Sequence, residues 1–462
     1  MTHHFRGAPD PLRWGALFPS IGASSPTSEP PERMRFLHLA DVHLDTLFAG
    51  RGEDVRRRLR DASREALRRG FDRARQERVD AVLVAGDLFD GTRLSLATER
   101  FLGHEVAALS EAGIPLVYVT GNHDPGTLFG AGTGARGRLP WLDRVHLLDG
   151  PEPGTVEVKR EGRLVGTVTG AGHATDREDR DLSRALRPPV ATGVPAVALL
   201  HTQVGGAGGQ DAHDRYAPSD LSHLRMAGFD YWALGHIHLR QVLETFPGIH
   251  YPGNVQGRSP RERGPKGGLL VEIASAGAPP DVTFVELASV RWETITVDDL
   301  SESTHGEMLA RRVLERWRHA RASDPGLPGT EWMIRVELQG PCPLHGLLRD
   351  PSERAALAED LALRLGALEV EVRTGALRAA LDLAPALERQ DAAGAALRMV
   401  RSLASPDGPS PSELLAIGAG ELAGMPDVAP GDAAALDAYL RGLLEDGDLE
   451  LLERFQEGGS TS

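Results

Sequence analysis

Three features of the sequence predict a mixed α/β protein with a smaller α+β module and a helical C-terminal tail. Strand and helix patterns alternate over residues 34–119, a β-rich stretch follows to about residue 298, and the character of the chain changes beyond it. At 462 residues the chain is too long for one ordinary domain.

Residues 1–33 are rich in Pro, Ser and Gly and lack periodicity, so they read as a disordered N-terminal extension. The strand-like run Met34–Ala40 follows at once. Over 54–77, Val55, Leu59, Ala62, Ala66, Leu67, Phe71 and Ala74 recur at helical spacing among charges. Ala81–Ala85 is short, apolar and β-rich, the mark of a buried strand. A helix over about 94–112 and a strand over 114–119 complete a β-α-β-α-β run, which favours a parallel sheet. Strands are expected at 154–171, 196–200, 231–234, 268–274 and 282–296, closing the first domain at residue 298. Residues 299–390 then read helix, strand, helix, strand. Residues 391–462 form an acidic, alanine-rich tail in which Ala434, Leu436, Tyr439, Leu440, Leu443 and Leu444 make one apolar stripe.

Composition narrows the function. The net charge is −15, of which residues 391–462 carry −9, so the chain is not a generally basic nucleic-acid binder. Contact with DNA would have to come from local arginines or bound divalent cations. Cys342 is the sole cysteine, which excludes an internal disulfide and fits a reducing cytoplasm. No apolar run approaches the length of about 20 residues needed to span a membrane, and the N-terminal stretch lacks the pattern of a secretory signal.

The chemistry-bearing residues fall into five short segments: Asp41-Val42-His43, Gly86-Asp87, Gly121-Asn122-His123-Asp124, His201 and Gly235-His236-Ile237-His238. Each taken alone has a bland reading as a capping Asp, a polar turn or a structural His. All five, however, sit immediately after an apolar strand run, at the carboxyl ends where sites form in parallel sheets. Asp41 and His43, like His236 and His238, are two residues apart, and extended backbone would turn both members of such a pair to one side. Together Asp41, His43, Asp87, Asn122, His201, His236 and His238 offer seven oxygen or imidazole ligands and no thiolate, the donor set of a two-metal hydrolytic site. Asp87 can bridge two cations. His123 can donate a proton or stabilise charge on a leaving group, and Asp124 can orient its ring.

The order D-x-H, G-D, G-N-H-D, H, G-H-x-H resembles the calcineurin-like metallophosphoesterases. Phe36–Asp45, Gly86–Asp90, Asp230–His238 and Tyr251–Arg258 are similar to the DNA-repair exonuclease branch, the SbcD-like and, closer still, YhaO-type bacterial proteins. The resemblance spans about residues 34–275. It implies a mixed β-sandwich flanked by helices, with 299–390 as a capping module. It implies one metal on Asp41, His43, Asp87 and His238, a second on Asp87, Asn122, His201 and His236, manganese as the ion, and His123 as the catalytic histidine. It further implies exonuclease action on DNA in repair or recombination, an SMC-like coiled-coil ATPase as partner, docked by the C-terminal stripe, and is compatible with a homodimer. One departure is Asp90, where some archaeal relatives carry a second histidine.

Two alternatives stay open: a phosphoesterase for cyclic nucleotides or phosphoproteins, and a weakly active DNA-binding subunit. Gly91-Thr92 after Asp90 weighs against a protein phosphatase, in which an arginine usually follows. The arginines of 56–69 read as a solvated helix face paired with Asp54, Asp61 and Glu65. Arg258, Arg261, Arg263 and Lys266 read as a substrate-contacting loop. His173 and His213 follow no comparable strand end and are not expected as ligands.

Overall fold

Two six-stranded sheets stacked face to face carry the first domain, and the apolar runs explain their position. The computed structural model describes residues 33–91, 94–129, 139–190, 193–208, 217–411, 433–445 and 447–459. Residues 1–32 and His213 lie outside them. In the first sheet, β1 (Met34–Leu39), β2 (Ala81–Ala85), β3 (Leu116–Val119) and β4 (Val145–Leu148) run parallel, and the antiparallel pair β13 (Gly267–Ile273) and β14 (Asp281–Glu286) extends the β1 edge. The second sheet has the order β11 (Gln241–Glu244), β12 (Gly248–Tyr251), β10 (Tyr231–Gly235), β7 (Ala196–His201), β6 (Arg163–Ala171) and β5 (Gly154–Arg160). Short strands β8 (Gln203–Val204) and β9 (Pro218–Ser219) and the helix α3 (Leu221–Met226) flank it.

Strands with two buried faces must be apolar on both. Phe36, Leu83, Val117 and Val119 of the first sheet meet Val168, Val197, Leu199 and Ala233 of the second, all fully buried. Leu37, Val82, Val84 and Tyr118 point the other way, onto Leu67, Phe71, Leu102 and Val106 of helices α1 (Glu53–Glu77) and α2 (Leu96–Glu111). The helical spacing on α1 buries Leu59, Ala62, Ala66, Leu67, Phe71 and Ala74 as expected. Its arginines form local pairs, Arg56 with Glu53, Arg57 with Asp54, Arg64 with Asp61 and Arg69 with Glu65, mostly at i,i+3 spacing.

The domain boundary differs from the expectation. β15 (Val290–Val297) does not join the first domain but pairs in parallel with β16 (Glu331–Cys342), which pairs in parallel with β17 (Glu369–Ala379). With α4 (Gly306–Ser323), α5 (His345–Leu348) and α6 (Pro351–Leu365) as connectors, the module is a parallel β-α-β-α-β unit beginning at Val290. An isolated strand pattern reveals its buried residues, Trp292, Ile295 and Val297, but not the sheet that receives them. Phe48, Leu59 and Ala62 pack on Val290, Trp292 and Met333, and the ion pairs Arg58–Glu331 and Arg51–Glu369 flank that contact.

Beyond the module, α7 (Leu383–Glu388), α8 (Ala392–Ala404), α9 (Ala433–Leu443) and α10 (Gly447–Gly459) follow, with Ala386, Leu397 and Leu452 buried together. Of the expected stripe, Tyr439 and Leu443 are exposed at 42% and 63%; the side chains of Ala434 and Leu436 lie outside the described residues. Among the described residues, no helix is long and apolar enough to cross a membrane.

Candidate metal centre

All seven expected ligands meet at the carboxyl ends of the central strands, in the cleft between the two sheets. Asp41 and His43 follow β1, Asp87 follows β2, Asn122 follows β3, His201 ends β7, and His236 and His238 follow β10. His43 Nε2 lies 3.1 Å from His238 Nε2 and 3.7 Å from Asp87 Oδ2, and His238 Nε2 lies 3.8 Å from Asp41 Oδ1. On the other side, Asn122 Oδ1 is 3.0 Å from His201 Nε2 and 3.3 Å from His236 Nδ1, while Asp87 Oδ2 is 3.5 Å from His201 Nε2. Asp87 thus touches both groups.

The backbone reaches this arrangement by another route than extended pairing. Asp41, His43 and Asp87 have φ of 50°, 48° and 51°, and His236 has 101°. Left-handed backbone at non-glycine residues costs of order 1 kcal/mol or more each and gathers at functional sites. Here it turns the chain sharply at the strand end, so each pair converges by a twist rather than by the pleat. Two neighbouring glycines make room: a Cβ on Gly86 (φ 83°) would come within 2.3 Å of His201 Nδ1, and one on Gly121 within 2.2 Å of Asp87 Oδ1.

The electrostatics favour cation binding. Asp41 and Asp87 are 0% and 1% exposed, and among the described residues no lysine or arginine forms an ion pair with either. Burial and the neighbouring Asp87 push the Asp41 carboxyl well above its usual range. Two buried carboxylates side by side are costly until a cation joins them. Burial also holds His43 down to about 3 and His201 to about 4. The rings are therefore neutral, the form that ligates a metal. Two divalent cations fit this donor set.

The rings of His43, His238 and His201 each have the second nitrogen held. His43 Nδ1 is 2.6 Å from Asp90 Oδ1, His238 Nδ1 is 2.7 Å from Glu262 Oε1, and His201 Nδ1 is 2.9 Å from the Ala85 carbonyl. Such contacts fix tautomer and ring orientation. His123 stands at the rim, 43% exposed, its Nδ1 2.9 Å from Asp90 Oδ1. Burial lowers the basicity of this ring, but Asp90 and Asp87 outweigh it and bring the pKa up to about 9.

Asp124 does not orient His123. Its carboxylate accepts from Gly121 N at 2.7 Å, Asp87 N at 3.2 Å, Leu88 N and the Tyr118 hydroxyl, all buried. Four donors within reach outcompete a ring at the rim. Asp124 is a brace that joins the loops after β2 and β3, and Asp90 takes the place beside His123. His173 is also buried, but its Nε2 is 2.8 Å from the His201 carbonyl and it contacts none of the carboxylates of the cluster.

A family model for calcineurin-like phosphoesterases matches residues 34–240. The uncharacterized metallophosphoesterase YhaO of Bacillus subtilis (strain 168) is 33% identical over 317 residues, 67% of this chain and 72% of that protein. The chain belongs to the calcineurin-like phosphoesterases. A subunit of the nuclease SbcCD from Rhodobacter capsulatus is 28% identical over 291 residues, covering 53% of this chain and 68% of that protein. The DNA double-strand break repair protein Mre11 of Methanopyrus kandleri is 26% identical over 300 residues, 61% and 62% of the two chains.

Within this calcineurin-like site, sequence reasoning missed Glu262 and the position of Asp90. Glu262 Oε2 also accepts from Asn254 Nδ2 at 2.9 Å and Arg258 N at 2.6 Å, which anchors the loop after β12 beneath His238. Its only signal was membership of a charged Gly-Pro loop. Lys266, expected to meet substrate, is buried and donates to the His238 carbonyl at 3.1 Å. It supports the fold of the site instead.

Proposed function

We propose that this calcineurin-like phosphoesterase is a two-metal phosphodiesterase acting on DNA, an exonuclease of repair or recombination. The observation that carries the reading is the convergence of seven oxygen and imidazole donors on one cleft with His123 at its rim. Asp41, His43, Asp87 and His238 would hold one cation. Asp87, Asn122, His201 and His236 would hold the other, with Asp87 shared. Hard oxygen and imidazole donors without thiolate suit manganese. Such a pair of cations supplies an activated water and charge neutralisation for the phosphoryl oxygens.

The remaining work falls to side chains. Asp90 holds His123 through Nδ1, which leaves Nε2 to donate to a substrate. A ring held protonated to about 9 before cations bind donates from that nitrogen to a departing 3′ oxygen. Bound cations nearby would lower this value. The choice of DNA is supported by the relatives named as a nuclease subunit and a break-repair protein. A coiled-coil ATPase is the proposed partner, docked by the helices of 391–462, in a reducing cytoplasm. Co-purification with and without residues 391–462 tests that part.

The test of the activity is a panel with manganese-loaded protein: end-labelled linear duplex, closed circular DNA, cyclic nucleotides and phosphopeptides. Release of nucleotides from linear duplex ends is expected. Turnover of cyclic nucleotides or phosphopeptides with intact DNA would replace this reading.

A further inference from the structure

Among the described residues, the guanidinium of Arg258 has more donors than the protein provides acceptors for. Its Nη1 donates to Asp90 Oδ2 at 3.1 Å, an oxygen that also accepts from Thr46 Oγ1. Its Nη2 lies 3.4 Å from His238 Nδ1. That nitrogen cannot accept when His238 ligates through Nε2, because Nδ1 then carries the ring proton and gives it to Glu262 Oε1. Among the described residues, Arg258 Nε is buried without a hydrogen-bond partner, and Glu262 Oε1 pairs with it only at 3.9 Å.

Charge sharpens the point. Arg258 is a permanent cation beside a cleft that fits two more. Like charges so close repel strongly in a partly buried site. Asp90 and Glu262 are the carboxylates beside it, but Asp90 already serves His43, His123 and Thr46, and Glu262 already serves His238 and Asn254. An anion arriving between the guanidinium and the cations would satisfy all of them. A phosphodiester has that charge, and a planar guanidinium fork matches its non-bridging oxygens. At 18% side-chain exposure, Arg258 is neither sealed from the surface nor freely hydrated.

We propose that Arg258 binds a non-bridging oxygen of the substrate's phosphoryl group and so sets the affinity of the site for phosphodiesters. His123 and Arg258 then flank the reacting group from the two oxygens of Asp90. The proposal rests on the phosphoesterase reading and is independent of whether DNA is the substrate. The competing role is a structural clamp on Asp90 and His238.

Arg258→Gln and Arg258→Lys, compared in full-length manganese-loaded protein, separate the two. The readouts are metal content, calorimetric binding of inorganic phosphate, and KM and kcat for bis(p-nitrophenyl) phosphate. The expected result is full metal content in both variants, with phosphate binding and KM weakened at least about tenfold in Arg258→Gln, the loss of one charge-assisted hydrogen bond. Arg258→Lys recovers part of this, since it restores the charge but not the fork. Unchanged phosphate affinity at full metal content overturns the proposal. So does loss of manganese from both variants, which would make Arg258 a clamp. Hydrolysis of bis(p-nitrophenyl) phosphate without cleavage of DNA would sink the nuclease reading and leave this one standing.

Discussion

The two halves of the candidate metal centre are braced by different means. Around Asp41, His43 and His238, the imidazoles lean on carboxylates, Asp90 and Glu262. Around Asn122, His201 and His236, the ring of His201 leans on a backbone carbonyl of β2, and Asn122 contributes a neutral oxygen. A carboxylate partner makes an imidazole a stronger donor and adds negative charge near the ion. The first half is therefore electrostatically tuned and open to mutation through its side-chain braces. The second half is tuned by the sheet itself, because its brace is main chain.

The largest effect is expected where the halves meet. Asp87→Asn should remove the shared ligand and reduce both metal content, measured by mass spectrometry, and phosphodiesterase activity to background. Full activity in that variant would break the two-half description altogether. Next, His123→Ala should cost about 10²–10⁴-fold in kcat, the range for a general acid, with both cations retained; loss of metal would instead make His123 a ligand. Glu262→Gln should weaken cation affinity about 10–100-fold, as removal of such a brace does, and only in the first half. Excess manganese should restore its activity. If both sites weaken equally, the contrast between the halves is wrong.

Smaller still is the effect of Asp124→Asn. An amide replaces an acceptor that serves four donors, so unfolding in denaturant should show a loss of about 2 kcal/mol, with activity falling because the loops of Asp87 and Asn122 loosen. The pH dependence of the metal-free protein completes the series. Burial lowers His38 and His43 to about 3 and His201 to about 4, against an ordinary value of 6.5. A lowered folded pKa means that the unfolded chain binds more protons below about 6.5. The contribution of these rings to stability is therefore complete above that pH and is lost as pH falls towards the folded values, by up to about 1.4 kcal/mol per unit for each ring. The raised Asp41 and Asp124 carboxyls and the raised His123 ring take up protons in the folded state over the same range and oppose this loss, so the rings themselves are the readout: the imidazole NMR signals of His43 and His201 should stay in the neutral form from pH 7 to 5, and protonation of either in that range would mean that it is not held neutral.

Much of the site was legible because strand ends leave a strong signature. Short apolar runs locate β1, β2, β3, β7 and β10, and a candidate ligand stands at or just beyond the end of each. What failed was anything that depends on direction or pairing. The left-handed φ of Asp41 and His43 has no mark in the residue types, so their convergence was expected for the wrong geometric reason. Asp124 is adjacent in sequence to His123 but is drawn inward by backbone donors, whereas Asp90, distant in sequence, reaches the ring. Glu262 lies in a turn whose composition suggests only a loop. β15 carries an ordinary strand pattern, and nothing local says which sheet will take it.

The seam between the two modules bears on how the protein can be cut. Phe48, a few residues past His43, is 7% exposed and packs with Trp292, Val290 and Met333 on that side of the larger module. A fragment ending at residue 288 would leave this apolar scar wet, and would loosen the very loop that presents Asp41 and His43. Dissection of the enzyme should therefore keep the smaller module attached, or replace Phe48 and Leu59 with polar residues before the loss of activity in a truncated chain is blamed on missing substrate contacts.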